Sequence, residues 1–108
     1  MDLRLHAPEI ANASIVLPTS KSITNRALLI AALCDGAPQV MHPALCDDTA
    51  VMIDALGRDG GVIDVGAAGT AMRFLTAYFA TREGMTVTLD GTERMRHRPI
   101  GALVDALR

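Results

Sequence analysis

The sequence predicts an α/β (α+β) fold, on three observations. Short alternating apolar runs interleave with longer runs of helical periodicity, the connections between them are only a few residues long, and Gly, Pro or Asp punctuates most of them. Half of the residues are apolar, which allows a buried core. Phe74, Tyr78 and Phe79 are the only aromatics, so Ala, Val, Ile, Leu and Met must build that core. With 108 residues, the chain is one small domain or part of a larger one.

Taken in order, Leu3 to Pro8 alternates and reads as a short strand, and Ser14 to Leu17 as a second. Pro18-Thr19 turns the chain. Ser20 is suited to cap a helix running to about Cys34, with Gly36 as its stop. Ile23, Ala27, Leu28, Ile30, Ala31 and Leu33 cover much of that helix's circumference, which predicts a well-buried helix. Val40 to His42 suggests a brief strand. Asp47 or Asp48 is a candidate cap for a helix over Thr49 to Leu56. Val62 to Val65 reads as a strand, and Gly66-Ala67-Ala68-Gly69 as a tight loop. Thr70 opens a third helix to about Thr81, with Met72, Leu75, Tyr78 and Phe79 on its apolar side. Met85 to Leu89 alternates as a strand. Ile100, Leu103, Val104 and Leu107 fall at i, i+3, i+4 and i+7, the stripe of an amphipathic helix. That stripe runs to Arg108 with no capping glycine after it, the pattern expected of a piece of a longer chain.

A formal net charge of −2 gives no general attraction to nucleic acid or to an anionic membrane. Apolar runs such as Ala27 to Leu33 are too short to span a bilayer, and with no targeting signal a cytosolic location is expected. Cys34 and Cys46 lack metal-type spacing and read as reduced, partly buried thiols. His6, His42 and His97 are scattered, so no metal site is expected. Nine arginines accompany a single lysine, Lys21. Base composition can account for the imbalance, but not for the position of the one lysine.

Three segments could carry chemistry. In Ser20-Lys21-Ser22-Ile23-Thr24-Asn25-Arg26, the free N–H groups of a helix start would combine with two hydroxyls, an ammonium and the Arg26 guanidinium. Together these suit a phosphate, and the segment lacks the glycines of a Walker loop. In Gly66 to Arg73, the glycines leave room for a ligand near the backbone, Thr70 opens the helix, and Arg73 lies in its first turn. In Arg94-Met95-Arg96-His97-Arg98-Pro99, alternate arginines would project to one side if the piece is extended, and Pro99 favours extension at Arg98. Each segment alone reads equally as ordinary structure: a capped helix, a tight turn, a solvated basic loop. Asp47-Asp48 reads as a helix cap that could also touch a ligand.

In this order and spacing, the three motifs resemble the N-terminal part of the 5-enolpyruvylshikimate-3-phosphate synthase family. Residues 17–28 fit L-P-x-S-K-S-x-[ST]-N-R-A-L throughout. Gly66 to Arg73 fits G-N-A-G-T-A-M-R except at Ala67. Arg94 to Ile100 fits R-M-x-x-R-P-I, and Leu103 to Leu107 fits the following L-V-D-A-L. The resemblance implies transfer of the enolpyruvyl group of phosphoenolpyruvate to the 5-hydroxyl of shikimate 3-phosphate, releasing phosphate through a tetrahedral intermediate. It implies no metal or organic cofactor and a monomeric parent enzyme. Lys21 would contact both substrates, Ser22 and Arg26 would hold shikimate 3-phosphate, Gly69 would line the phosphoenolpyruvate pocket and Arg98 would pair with that substrate. Thr70, Arg73 and Arg94 form a second tier.

The implied fold has two domains of repeated βαβαββ units with the active site between them. Residues 1–20 would be strands of the first domain and residues 21–108 the first part of the second. Acid–base carboxylates would come from later sequence. Two positions depart from the pattern: Ala67 replaces an Asn, and Phe74 a Pro, near the pocket where the inhibitor glyphosate competes with phosphoenolpyruvate. The stretch from Leu56 to Gly66 is also compact. The rival reading is a non-enzymatic phosphate- or RNA-binding module using Arg94 to Arg98, although no aromatic platform accompanies those arginines.

Overall fold

The computed structural model describes residues 1–108. Five helices and two strands follow in the order α1 (Lys21–Leu33), α2 (Asp47–Leu56), β1 (Gly61–Asp64), α3 (Gly69–Ala80), β2 (Val87–Asp90), α4 (Glu93–Arg96) and α5 (Gly101–Leu107). This is the mixed helix-and-strand architecture that the sequence pattern predicts. The two strands pair in parallel, Gly61 opposite Val87 through Asp64 opposite Asp90. A parallel pair requires a long crossover, and α3 is that crossover.

The core lies where α3 packs on the two strands and on α2. Met52 and Ala55 come from α2, Ile63 and Val65 from β1 and its end, and Ala71, Met72, Leu75, Tyr78 and Phe79 from α3. All four residues assigned to the apolar side of the third helix are in that cluster. Tyr78 and Phe79 meet edge to face at 5.1 Å, a favoured aromatic arrangement. The Arg82 guanidinium lies 4.4 Å from the Tyr78 ring centroid and donates from Nη2 to the Ala32 carbonyl at 2.8 Å. It thereby ties the C-terminal ends of α1 and α3 together.

Several expectations are corrected. Residues 3–8, 14–17 and 40–42 form no strand, because a strand needs a partner for its backbone groups and β1 and β2 pair only with each other. Helix α1 has the predicted ends, with Ser20 as N-cap, but it is not well buried. Ile23, Ile30 and Leu33 stay largely exposed, since α2 and α3 cover only part of its circumference, where Thr24 and Asn25 are buried. The cap of α2 is Cys46 rather than an aspartate: its N–H donates to Thr49 Oγ1 at 3.2 Å. Asp47 and Asp48 fall in the first helical turn, where their charge complements the helix dipole. Both cysteines are unpaired and exposed rather than partly buried. No helix is long and apolar enough to cross a membrane.

Two loops are pressed together at the C-terminal ends of the strands. Gly66 has φ +56° and donates its N–H to Asp64 Oδ1 at 2.8 Å, while its carbonyl accepts from Thr92 N at 3.0 Å. A Cβ at Gly91 would lie 2.6 Å from that carbonyl, so only glycine permits this approach. Beyond it, Arg96 makes a two-pronged pair with Asp90, at 2.8 and 2.9 Å. The Arg96 guanidinium, seconded by the Gly91 N–H, holds the Asp90 carboxyl down to about 2.

Three outcomes follow for unfolding measurements. Leu75→Ala should cost about 3 kcal/mol in urea unfolding, as expected for a fully buried leucine. Gly91→Ala should destabilise, whereas Gly101→Ala, which meets nothing within 4 Å, should be neutral or slightly stabilising. Because the folded Asp90 lies below its ordinary value of 3.8, its contribution is present above about pH 4 and fades as pH falls through about 2. Thermal unfolding of the parent chain should show this acid loss, and Asp90→Asn should flatten that part of the profile.

Candidate functional site

The site is assembled at the N-terminal ends of three helices. Helix α1 begins at Lys21, immediately after the Ser20 cap, so the lysine stands at the helix mouth. The first turn of α2 faces it, and Lys21 Nζ lies 3.0 Å from Asp48 Oδ2. The hydrogen bond to Asp48 and its charge raise the Lys21 ammonium above its ordinary value. Behind this pair, Thr24 Oγ1 accepts from Ala44 N at 3.0 Å, and Thr49 Oγ1 donates to the Ala44 carbonyl. Both threonines are buried, so α1 and α2 are clipped together through one loop residue.

Helix α3 supplies the second wall. Its cap residue, Ala68, offers no side-chain acceptor, so its first N–H groups remain open. Gly69, the first helical residue, is where the Arg98 guanidinium comes to rest: a Cβ there would collide with Arg98 Nη1, and Cζ would be 2.9 Å away. Gly69 therefore makes room for a side chain of this chain. Arg73, one turn further along α3, donates from Nη2 to the Pro99 carbonyl at 3.1 Å and so anchors the segment that carries Arg98.

Lys21, Asp48, Ala67, Gly69, Thr70, Arg73 and Arg98 line one cleft of about 290 Å³. Three cations and one carboxylate thus surround an uncapped helix start. A guanidinium beside a helix N-terminus is unfavourable on its own, because both present positive charge, and an anion relieves both. Arg94 lies in an adjoining cleft of about 260 Å³ that shares Ala67 and Arg98.

The predicted site residues thus divide. Lys21, Gly69, Thr70, Arg73 and Arg98 come together, and Arg94 sits next door. Ser22 and Arg26 do not line this cleft. They occupy the adjoining face of α1, where Arg26 Nη1 donates to the Ser22 carbonyl at 3.0 Å and the guanidinium lies 5.9 Å from the Phe74 ring centroid. The expectation of an extended Arg94–Arg98 run with three arginines on one side is overturned. Thr92 caps a short helix over Glu93–Arg96, which turns Arg96 toward Asp90 and away from the cleft that Arg94 and Arg98 line. Arg96 is committed to Asp90, with Glu93 at 3.6 Å. Asp48 is legible in sequence as a cap that could touch a ligand, but nothing local announces its pairing with Lys21, 27 residues away.

Comparison with known proteins fits this arrangement. The family profile of EPSP synthase (3-phosphoshikimate 1-carboxyvinyltransferase) matches residues 6–60 and 58–108. A 3-phosphoshikimate 1-carboxyvinyltransferase of Bacteroides fragilis (strain YCH46) is 56% identical over 104 residues, which is 96% of this chain and 25% of that protein. The protein of the same name from Rhizobium etli (strain CIAT 652) is 45% identical, over 84% of this chain and 27% of its own length. That of Ralstonia pickettii (strain 12J) is 43% identical, over 91% and 28%. The chain spans about a quarter of the length of the curated relatives it matches. No solved structure matches it. With both halves of its sequence matched, and residues of all three motifs lining one cleft, the chain belongs to the EPSP synthase family.

Proposed function

We propose that this chain supplies one wall of the active site of an enzyme that moves the enolpyruvyl group of phosphoenolpyruvate to the 5-hydroxyl of shikimate 3-phosphate. Phosphate leaves through a tetrahedral intermediate. The observation that carries the reading is the meeting of Lys21, Arg73 and Arg98 around Gly69 and the open start of α3. Both substrates are anions, and cations already fixed in place stabilise charge in the transition state without having to reorganise.

In this reading Lys21 touches both substrates and polarises the reacting one. Arg98 pairs with phosphoenolpyruvate over Gly69, and Thr70 adds the first N–H groups of α3. Ser22 and Arg26 hold shikimate 3-phosphate on the neighbouring face of α1, where Arg26 is already steadied by the Ser22 carbonyl and Phe74. Arg73 keeps the Arg98 segment in register through Pro99, and Arg94 extends the positive surface. The one carboxylate in the cleft, Asp48, is engaged with Lys21, so the groups that move protons come from elsewhere in the longer enzyme. Residues 1–20, with exposed Leu3, Leu5, Ile15, Val16 and Leu17, become strands of its other domain. The parent enzyme is a cytosolic monomer that uses no metal or organic cofactor. The nucleic-acid alternative would rest on Arg94 and Arg98 alone, since Arg96 is paired with Asp90.

Titration of the 108-residue chain with each substrate tests this reading. Lys21→Ala should weaken binding of both by about tenfold, as expected for loss of a charge-assisted hydrogen bond. Gly69→Ala should displace Arg98 and weaken phosphoenolpyruvate far more than shikimate 3-phosphate. The chain alone, supplied with both substrates, should release no phosphate. Saturable binding of a short RNA with no response to either substrate would contradict the reading.

A further inference from the structure

An acidic side chain inside an anion cleft needs a reason. Asp48 lowers the net positive charge that Lys21, Arg73 and Arg98 present, and charge alone would favour its absence. Its placement is nevertheless strongly determined. The buried Thr24 and Thr49 hydroxyls meet the N–H and the carbonyl of the same residue, Ala44, and Cys46 N donates back to Thr49 Oγ1. Thr24 is one turn from Lys21 on α1, and Thr49 follows Asp48 on α2. The clip therefore fixes the start of α2 against the start of α1, and with it the carboxylate against the ammonium. Asp48 itself is only partly exposed, whereas the lysine side chain is 53% exposed. A lysine that open, on a four-carbon stem, otherwise samples many rotamers and must be ordered whenever a ligand uses it.

We propose that Asp48 is a positioning residue for Lys21: held by the Thr24–Ala44–Thr49 clip, it fixes the ammonium at the mouth of the cleft, so that a ligand with two anionic groups meets a preset donor. The proposal rests on the functional reading above and deepens it. It predicts selectivity rather than raw affinity. Inorganic phosphate can use whichever cations are free. Phosphoenolpyruvate, with a phosphate and a carboxylate at fixed separation, needs Lys21 in one place relative to Arg98.

Lys21 is the only lysine, so a chain grown with lysine carrying 13C at the ε-carbon shows a single side-chain signal that reports this residue alone. In the parent chain that signal should relax as a restrained side chain, and in Asp48→Asn as a free one. Followed through titrations, the same signal should show that Asp48→Asn leaves inorganic phosphate binding unchanged or tighter and weakens phosphoenolpyruvate. The affinity ratio of the two should fall by about fivefold, the upper range for a surface ion pair. Asp48→Glu, which keeps the charge and moves it, should fall between. If Asp48→Asn tightens both ligands in parallel, Asp48 is only a competing counter-charge and the proposal is overturned. A Lys21 signal already mobile in the parent chain overturns it without any variant. Failure of the parent chain to bind phosphoenolpyruvate overturns the functional reading, and the proposal with it. Tight binding that survives Lys21→Ala does the same, a result distinct from failure at Asp48 alone.

Discussion

Two close approaches to glycine hold the site together. Gly91 lies against the Gly66 carbonyl, and the Arg98 guanidinium lies against Gly69. The first joins the loop after β1 to the loop after β2. The second lays a side chain from the latter segment across the start of α3. Neither contact is compatible with a Cβ. The parallel pairing of β1 and β2 brings both loops to the same end of the sheet. The crossover between the strands, α3, then starts from that end with its N–H groups open. In open α/β sheets, that end of the strands is where ligand crevices form. Helices α1 and α2 come to the same place by a separate route, through two buried threonines and one loop residue.

The electrostatic consequence is a cleft whose cations each meet a defined neighbour. Arg73 holds a carbonyl, Arg98 rests on Gly69, and Lys21 is tied to Asp48. Each restraint reduces the reorganisation needed when an anion arrives. Arg96 shows the contrasting fate. Its two-pronged pair with Asp90 makes it a structural brace for the end of β2, although in sequence it is indistinguishable from its neighbours Arg94 and Arg98.

How far the sequence reached depended on the kind of signal. Helices with local caps and period were legible: Ser20 and Gly36 bracket α1, and Met72, Leu75, Tyr78 and Phe79 mark the buried side of α3. The two strands of the parallel pair were legible from their alternation to within a few residues. The N-terminal strand candidates carry the same alternation without forming strands, because alternation is a property of the segment and a strand is a property of a pair. Arg94 to Arg98 looked extended because of Pro99, but Thr92 and Glu93 supply a cap and an acidic first turn that favour a short helix. At the site, the residue types and their order were legible and their partners were not. Asp48 meets Lys21, and Gly69 meets Arg98, across separations that no local pattern encodes.

If Lys21, the start of α3 and Arg98 form one anion site, a single ligand must meet all three at once. Mapping phosphoenolpyruvate onto the amide spectrum of the 15N-labelled chain tests it most directly. Concerted, saturable shifts are expected at Lys21, Gly69, Thr70 and Arg98, sharing one binding constant. Shifts confined to Arg94 to Arg96, or separate constants for the α1 and α3 ends, would contradict it.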